Sequence, residues 1–218
     1  MRVLQFYPGN GISVSPSGFK QNNEAMKRST ILKAFATVAA AAMLLPADAR
    51  LNAEQKGGEV SLVLSSPAFR HMESIPTVYT CEGRNISPPL AWSHVPPGTR
   101  SLVLIVDDPD APDPAAPKIT WVHWLLYNIP PSTDRLDEGA GNQAPRKPLL
   151  TGLGSSKKTG YGGPCPPIGT HRYFHKLYAL DAVLADLSLP DKAALEAAMK
   201  GHILGEAVLI GTYKKINP

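Results

Sequence analysis

The chain has 218 residues, with 22 Lys/Arg against 18 Asp/Glu and a formal net charge of +4, a length that suits one ordinary domain plus an extension. Five of those basic and two of those acidic residues fall within residues 1–49, which leaves 17 and 16 for residues 50–218; a net of +1 argues against a nucleic-acid surface. No apolar run is long enough to span a bilayer, and 22 prolines and 18 glycines with few helical periods favour a β-rich, loop-heavy fold.

The basic lead Met26-Lys27-Arg28-Ser29-Thr30-Ile31-Leu32-Lys33 runs into an apolar stretch from Ala34 to Leu45 and then Pro46-Ala47-Asp48-Ala49. That order predicts a secretory signal peptide over 26–49, cut near Ala49, and hence a periplasmic or secreted protein; the competing reading is a buried or amphipathic helix. Residues 1–25 are polar filler ahead of it and read as an extension that precedes the true start at Met26, and residues 50–58 read as a flexible lead-in.

Further along, Val60, Leu62 and Leu64 alternate as a first strand, and Ile75 to Thr80 reads as a second short one. A turn-rich loop, Cys81 to Pro89, precedes Leu90-Ala91-Trp92. Ser101 to Asp108 and Trp121 to Asn128 are continuous apolar runs of the kind that form strands buried on both faces. Residues 130–160 have no sustained period and read as a long surface loop. Arg172 to Asp181 is a third central strand. Asp191 caps a helix reaching about Lys200, with Leu195, Ala198 and Met199 on one face, and Glu206 to Lys214 closes the chain as a strand. Short strands with irregular connections, few short helices and no helix between central strands predict a mainly β, antiparallel sandwich with Greek-key-type connections.

The chemistry concentrates in three places. Asp107-Asp108-Pro109-Asp110-Ala111-Pro112 ends the most buried strand, where carboxylates need partners and prolines stiffen the turn. His123 lies between Trp121 and Trp124 in the next strand. Tyr161 to Gly169 is a Gly/Pro-rich loop that feeds His171-Arg172-Tyr173. Asp108, Asp110, His123, His171 and Tyr173 together make a receptor for a small anion such as phosphate, with loop N–H groups as extra donors. In that receptor the acids orient the histidines, and His123 and His171 donate to the anion. Two His and one Asp would also suit a metal, but their spacing carries no metal signature. The absence of G-x-S-x-G or a Cys–His elbow argues for a non-catalytic protein that needs no cofactor. Cys81 and Cys165 both lie in loops beside the expected pocket, and in an exported protein they could pair as a disulfide.

Asp107-Asp108-Pro109-Asp110-Ala111-Pro112, His123-Trp124 with Tyr127-Asn128-Ile129-Pro130, and Gly163-Pro164-Cys165-Pro166-Pro167 with His171-Arg172-Tyr173 together resemble the phosphatidylethanolamine-binding protein family, in its bacterial Raf kinase inhibitor-like branch. Tyr79-Thr80-Cys81-Glu82-Gly83, Ser87-Pro88-Pro89, Gly201-His202 and Gly211-Thr212-Tyr213 extend the likeness from about residue 59 to 215. The resemblance implies a two-sheet sandwich over 59–218. Its small anion pocket would be lined by Asp108, Asp110, Trp121, His123, His171 and Tyr173, with Pro166 and Gly169 shaping the rim. It also implies phosphate, acetate or a phosphorylated headgroup as ligand, with Trp121 covering the ligand's apolar part. Because eukaryotic members inhibit kinases or serine proteases, an inhibitor acting through the pocket-side surface is the alternative, and a weak esterase or phosphatase is a third reading. The segment Thr151 to Lys158 departs from the Asn-Asp-Phe-Gly type stretch of bacterial members, which bears on the loop near the pocket mouth. N-terminal sequencing of the exported protein is expected to read from near Arg50; a mature chain that retains Met1 would overturn the leader assignment.

Overall fold

A computed structural model describes residues 61–216, so the expected extension (1–25), signal peptide (26–49) and lead-in (50–58) lie outside the described residues. In chain order the strands are β1 (Val63–Ser65), β2 (Leu90–Ser93), β3 (Ser101–Ala111), β4 (Ile119–Ile129), β5 (Arg135–Leu136), β6 (Leu150–Thr151), β7 (His171–Leu180) and β8 (Ile203–Tyr213), with a helix α1 (Lys192–Met199) between the last two. They form two antiparallel sheets, a small one ordered β1-β2-β5 and a large one ordered β6-β4-β3-β7-β8. From β4 the chain visits the small sheet as β5 and returns beside β4 as β6. It then crosses to the far side of β3 as β7, the Greek-key-type path expected for a sandwich.

Side-chain alternation along β3 divides the apolar residues between two layers. Leu102, Leu104 and Val106 face the small sheet and pack with Leu64, Leu90, Trp92, Trp124 and Leu177. Val103 and Ile105 face the other way, against Leu125, Leu180 and the helix residues Leu195 and Met199. The helix begins where Asp191 Oδ1 accepts the Ala194 N–H at 2.9 Å, an N-cap that satisfies one of the free first-turn donors. Lys192 Nζ and Lys176 Nζ both reach Asp107 Oδ2, at 2.6 and 2.8 Å, and pin this helix to a carboxylate that is wholly buried on that face. No helix among the described residues is long and apolar enough to cross a membrane.

Two sequence expectations need correcting. Ile75 to Thr80 is not a strand: Pro76 supplies no N–H, and the chain turns through a 3-10 segment at Thr77–Tyr79 closed by the Thr80 N–H on Thr77 O at 3.0 Å. Residues 130–160 are not simply loop. They hold β5, β6 and a 3-10 turn at Ala140–Asn142, pieces too short to show a period. Cys81 and Cys165, 84 residues apart, are joined by a disulfide with a Cα–Cα separation of 5.4 Å.

Two predictions follow from this packing. Replacing both cysteines by serine frees an 84-residue loop in the unfolded chain and is expected to cost about 4.5 kcal/mol by loop entropy, measured by urea unfolding. The second concerns His175, fully buried, whose pKa is pushed down from 6.5 to about 4 by burial, against the opposing pull of the Tyr173 and Leu209 backbone. The unfolded imidazole takes a proton below 6.5 while the folded one refuses it, so stability falls as pH drops from 6.5 to 4, by up to about 3 kcal/mol. His175→Leu is expected to flatten that acid limb.

Candidate anion site

The site lies where the far end of β3, the start of β4, the start of β7 and the loop 161–169 meet. On β7 the alternation that buries Leu177 and Ala179 also turns His171, Tyr173 and His175 toward the space between the sheets. On β4 regular alternation alone would not produce the observed arrangement. Val106 pairs with Trp124 but Asp107 pairs with Val122, so His123 is an extra residue, a β-bulge. The bulge leaves Val122 against the helix layer and Trp124 in the sandwich core, while His123 and Trp121 both turn to the same cavity.

That cavity has a volume of about 350 Å³. Its floor is Asp108, His123, His171 and Tyr173; its walls are Gly163, Cys165, Pro166 and Pro167 on one side and Ala111, Pro112, Ile119 and Trp121 on the other. Ile119 and Trp121 remain 52% and 37% exposed, so the mouth is apolar above a polar floor. The disulfide ties the Cys165 wall to the loop that begins at Cys81, and the Cys81 N–H donates to Pro164 O at 3.1 Å. Gly163 has no room for a side chain, because a Cβ there would lie 2.4 Å from Tyr79 O.

The floor is held by directed bonds. Asp108 Oδ1 accepts the Asp110 N–H at 2.8 Å, and Asp108 Oδ2 accepts from His171 Nδ1 at 2.7 Å. His171 Nε2 in turn faces Ile168 O at 3.0 Å. Both nitrogens of His171 therefore face oxygens of this chain, and the expectation that His171 donates to the anion needs correcting. His123 Nδ1 faces Gly162 O at 2.6 Å, while its Nε2 is buried without a partner, and burial holds this imidazole below the ordinary histidine range. The Tyr173 hydroxyl is likewise buried without a partner, and burial raises its pKa, so it remains a phenol. Its ring stands edge-on to His123, centroids 5.2 Å apart.

Of the residues singled out in the sequence, the structure brings Asp108, Trp121, His123, Pro166, His171 and Tyr173 together around one cavity. Asp110 is placed elsewhere. It takes hydrogen bonds from the Arg172 N–H, Nε and Nη2 at 2.9, 2.9 and 2.7 Å, and the guanidinium holds its carboxyl below the usual range. It orients no histidine. Gly169 is not on the cavity wall: at φ +74° it turns the loop against Pro114, where a Cβ would meet Cγ at 2.7 Å. Two loop N–H groups expected as anion donors are also engaged, Gly162 with His123 O at 3.0 Å and Gly163 with Asn85 Oδ1 at 2.7 Å. Sequence reasoning missed Ile119, Ala111, Pro112 and Pro167 as lining residues. His175, two residues beyond Tyr173 on the same face of β7, does not line the cavity.

Among the described residues, no three His, Cys, Asp or Glu side chains cluster as metal ligands would. A second cavity of about 440 Å³ lies along Trp124, Tyr161 and residues 140–145. Its walls carry no charged side chain, in contrast to the cavity floored by Asp108.

A family model described as "Phosphatidylethanolamine-binding protein" matches residues 65–214. A UPF0098 protein of Methanothermobacter thermautotrophicus is 48% identical over 154 residues, which cover 70% of this chain and 98% of that one. A second UPF0098 protein, from Chlamydia trachomatis, is 45% identical over 152 residues, 70% of this chain and 98% of its own. Among solved structures, the phosphatidylethanolamine-binding protein homolog CT736 of Chlamydia trachomatis has a TM-score of 0.65 at 43% identity, covering 71% of this chain and 98% of that one. YbcL of E. coli, titled a new member of the mammalian PEBP family, has a TM-score of 0.64 at 29% identity, covering 72% and 99%. With the family model spanning both sheets and every residue of the cavity floor, the chain belongs to the phosphatidylethanolamine-binding protein family.

Proposed function

We propose that this protein binds a small phosphate-type anion, free or carried on a headgroup, in the cavity floored by Asp108, His123, His171 and Tyr173, and that it does so without catalysing a reaction. One observation carries the reading. Two buried polar atoms, Tyr173 Oη and His123 Nε2, have no partner among the described residues, and both belong to residues that line the same cavity. A buried polar group without a partner costs about 1–3 kcal/mol, so two on one floor point to a ligand that completes them. The apolar mouth formed by Ile119, Trp121, Pro166 and Pro167 suits a ligand whose charged end is small and whose remainder is not. Cys165 has its sulfur in the disulfide, which supports binding over nucleophilic chemistry. The disulfide also favours an oxidising compartment, in keeping with an exported protein.

The test is titration calorimetry with inorganic phosphate, phosphoethanolamine and glycerophosphoethanolamine, which separates free phosphate from headgroup as the source of the anion. Tyr173→Phe removes the unpartnered donor and nothing else. It is expected to leave folding stability unchanged or slightly raised, and to weaken binding roughly tenfold to a hundredfold, the worth of a hydrogen bond to a charged group. Binding that survives this change in full would count against the floor as the anion's seat.

A further inference from the structure

Building on the anion reading of the cavity, we infer that the anion enters together with one proton, which is held between a ligand oxygen and Nε2 of His123. The inference comes from counting donors and acceptors on the floor. Gly162 O can only accept, so His123 Nδ1 carries the ring hydrogen and Nε2 presents a lone pair. Asp108 presents a carboxylate. His171 has both nitrogens turned to Asp108 Oδ2 and Ile168 O, and has no hydrogen left for a ligand. Only the Tyr173 hydroxyl is a free donor on the floor. Asp108 is already engaged by His171 and the Asp110 N–H, so a fully ionised phosphate would meet one free donor, Tyr173, and one unmatched acceptor, the lone pair on His123 Nε2. A proton on Nε2 turns the lone pair into a charge-assisted donor aimed at the anion.

The charged surroundings allow that change. Asp108 and Asp107 on β3 draw a proton toward His123, and His171 on β7 opposes it. Tyr173, also on β7, stands edge-on to the ring as a neutral phenol, His175 on the same strand is kept neutral by burial, and burial keeps the free His123 imidazole unprotonated. An arriving anion adds a third negative neighbour. By linkage the anion then raises the ring's hold on the proton, and the proton raises the site's hold on the anion. The balance is simple: at a pH where ligand and His123 are both deprotonated, the buffer loses one proton and the complex gains it. The ligand class is thereby narrowed to phosphate oxyanions that can share a proton with an imidazole.

Methyl phosphate, a monoester with a second pKa of about 6, is the probe, because its own charge is nearly constant between pH 7 and 8.5. Calorimetry in two buffers of different ionisation enthalpy is expected to show about one proton taken up per ligand, with affinity falling about tenfold per pH unit. In the unmodified protein, ¹⁵N imidazole spectra should show Nε2 of His123 passing from unprotonated to protonated on saturation. His123→Gln, whose amide donates at any pH, is expected to bind with no proton uptake and a flat pH profile. Should that variant fail to fold, the imidazole spectra decide the matter. Binding without uptake, or an Nε2 signal that stays unprotonated, would overturn the proton while leaving the anion site standing. No binding at millimolar ligand would overturn both.

Discussion

Asp108 is a carboxylate with 3% exposure at the end of the most buried strand, and the candidate site is built from the way it is satisfied. One oxygen takes the Asp110 N–H and fixes the irregular end of β3; the other takes His171 and fixes the first residue of β7. Through His171 the chain of bonds runs on to Ile168 O and so to the loop that walls the cavity. Three separate segments are thus held by one side chain. Removing one partner from such a buried pair costs about 3–5 kcal/mol, whereas an apolar replacement of both is often neutral. Stability alone therefore gives little reason to keep a buried Asp–His pair, and its position on a cavity floor gives a better one.

Asp107 and Asp108 show how one strand serves two purposes. Consecutive residues face opposite sides of the sheet, so Asp107 turns to the helix layer and takes Lys176 and Lys192, while Asp108 turns to the cavity. Asp110, expected beside the histidines, clamps Arg172 instead and braces the same corner from outside. Three acids within four residues of sequence therefore have three different jobs. The outer two secure the frame on which the middle one presents the floor.

Much of this is legible in the sequence. The apolar runs 101–108 and 121–128 and the strand near 172–181 are the large sheet's central strands, and the Asp191 cap marks the helix. His171 and Tyr173 share a face because they are two apart on a strand. What could not be read depends on partners that sequence does not display. The bulge at His123 exists only in the register of β4 against β3, and without it His123 and Trp124 would point to opposite faces. Which histidine nitrogen is free depends on which carbonyl oxygens, Gly162 and Ile168, happen to face the rings. The engagement of the loop N–H groups with His123 O and Asn85 is hidden for the same reason. β5 and β6 have two residues each, below the length at which any period is visible.

Unpartnered buried atoms are not by themselves a sign of ligand binding, and this protein supplies its own control. Neither ring nitrogen of His175 makes a well-formed hydrogen bond, although the Tyr173 and Leu209 backbone favours its proton; the ring is packed against Phe69, with centroids 5.5 Å apart, and is not among the cavity's lining residues. Burial keeps it neutral, and its cost is carried by the core around it. Trp124 Nε1 is also unbonded, but it belongs to a cavity without charge. Tyr173 and His123 differ from both in that their free atoms belong to adjacent rings on one floor, one a donor and the other an acceptor, beside a carboxylate already engaged. A water cluster could satisfy a donor and an acceptor, but it would not call for an apolar mouth held in place by a disulfide. A small charged group attached to an apolar body uses every one of these features, the polar floor with its charged end and the Ile119 and Trp121 rim with the rest.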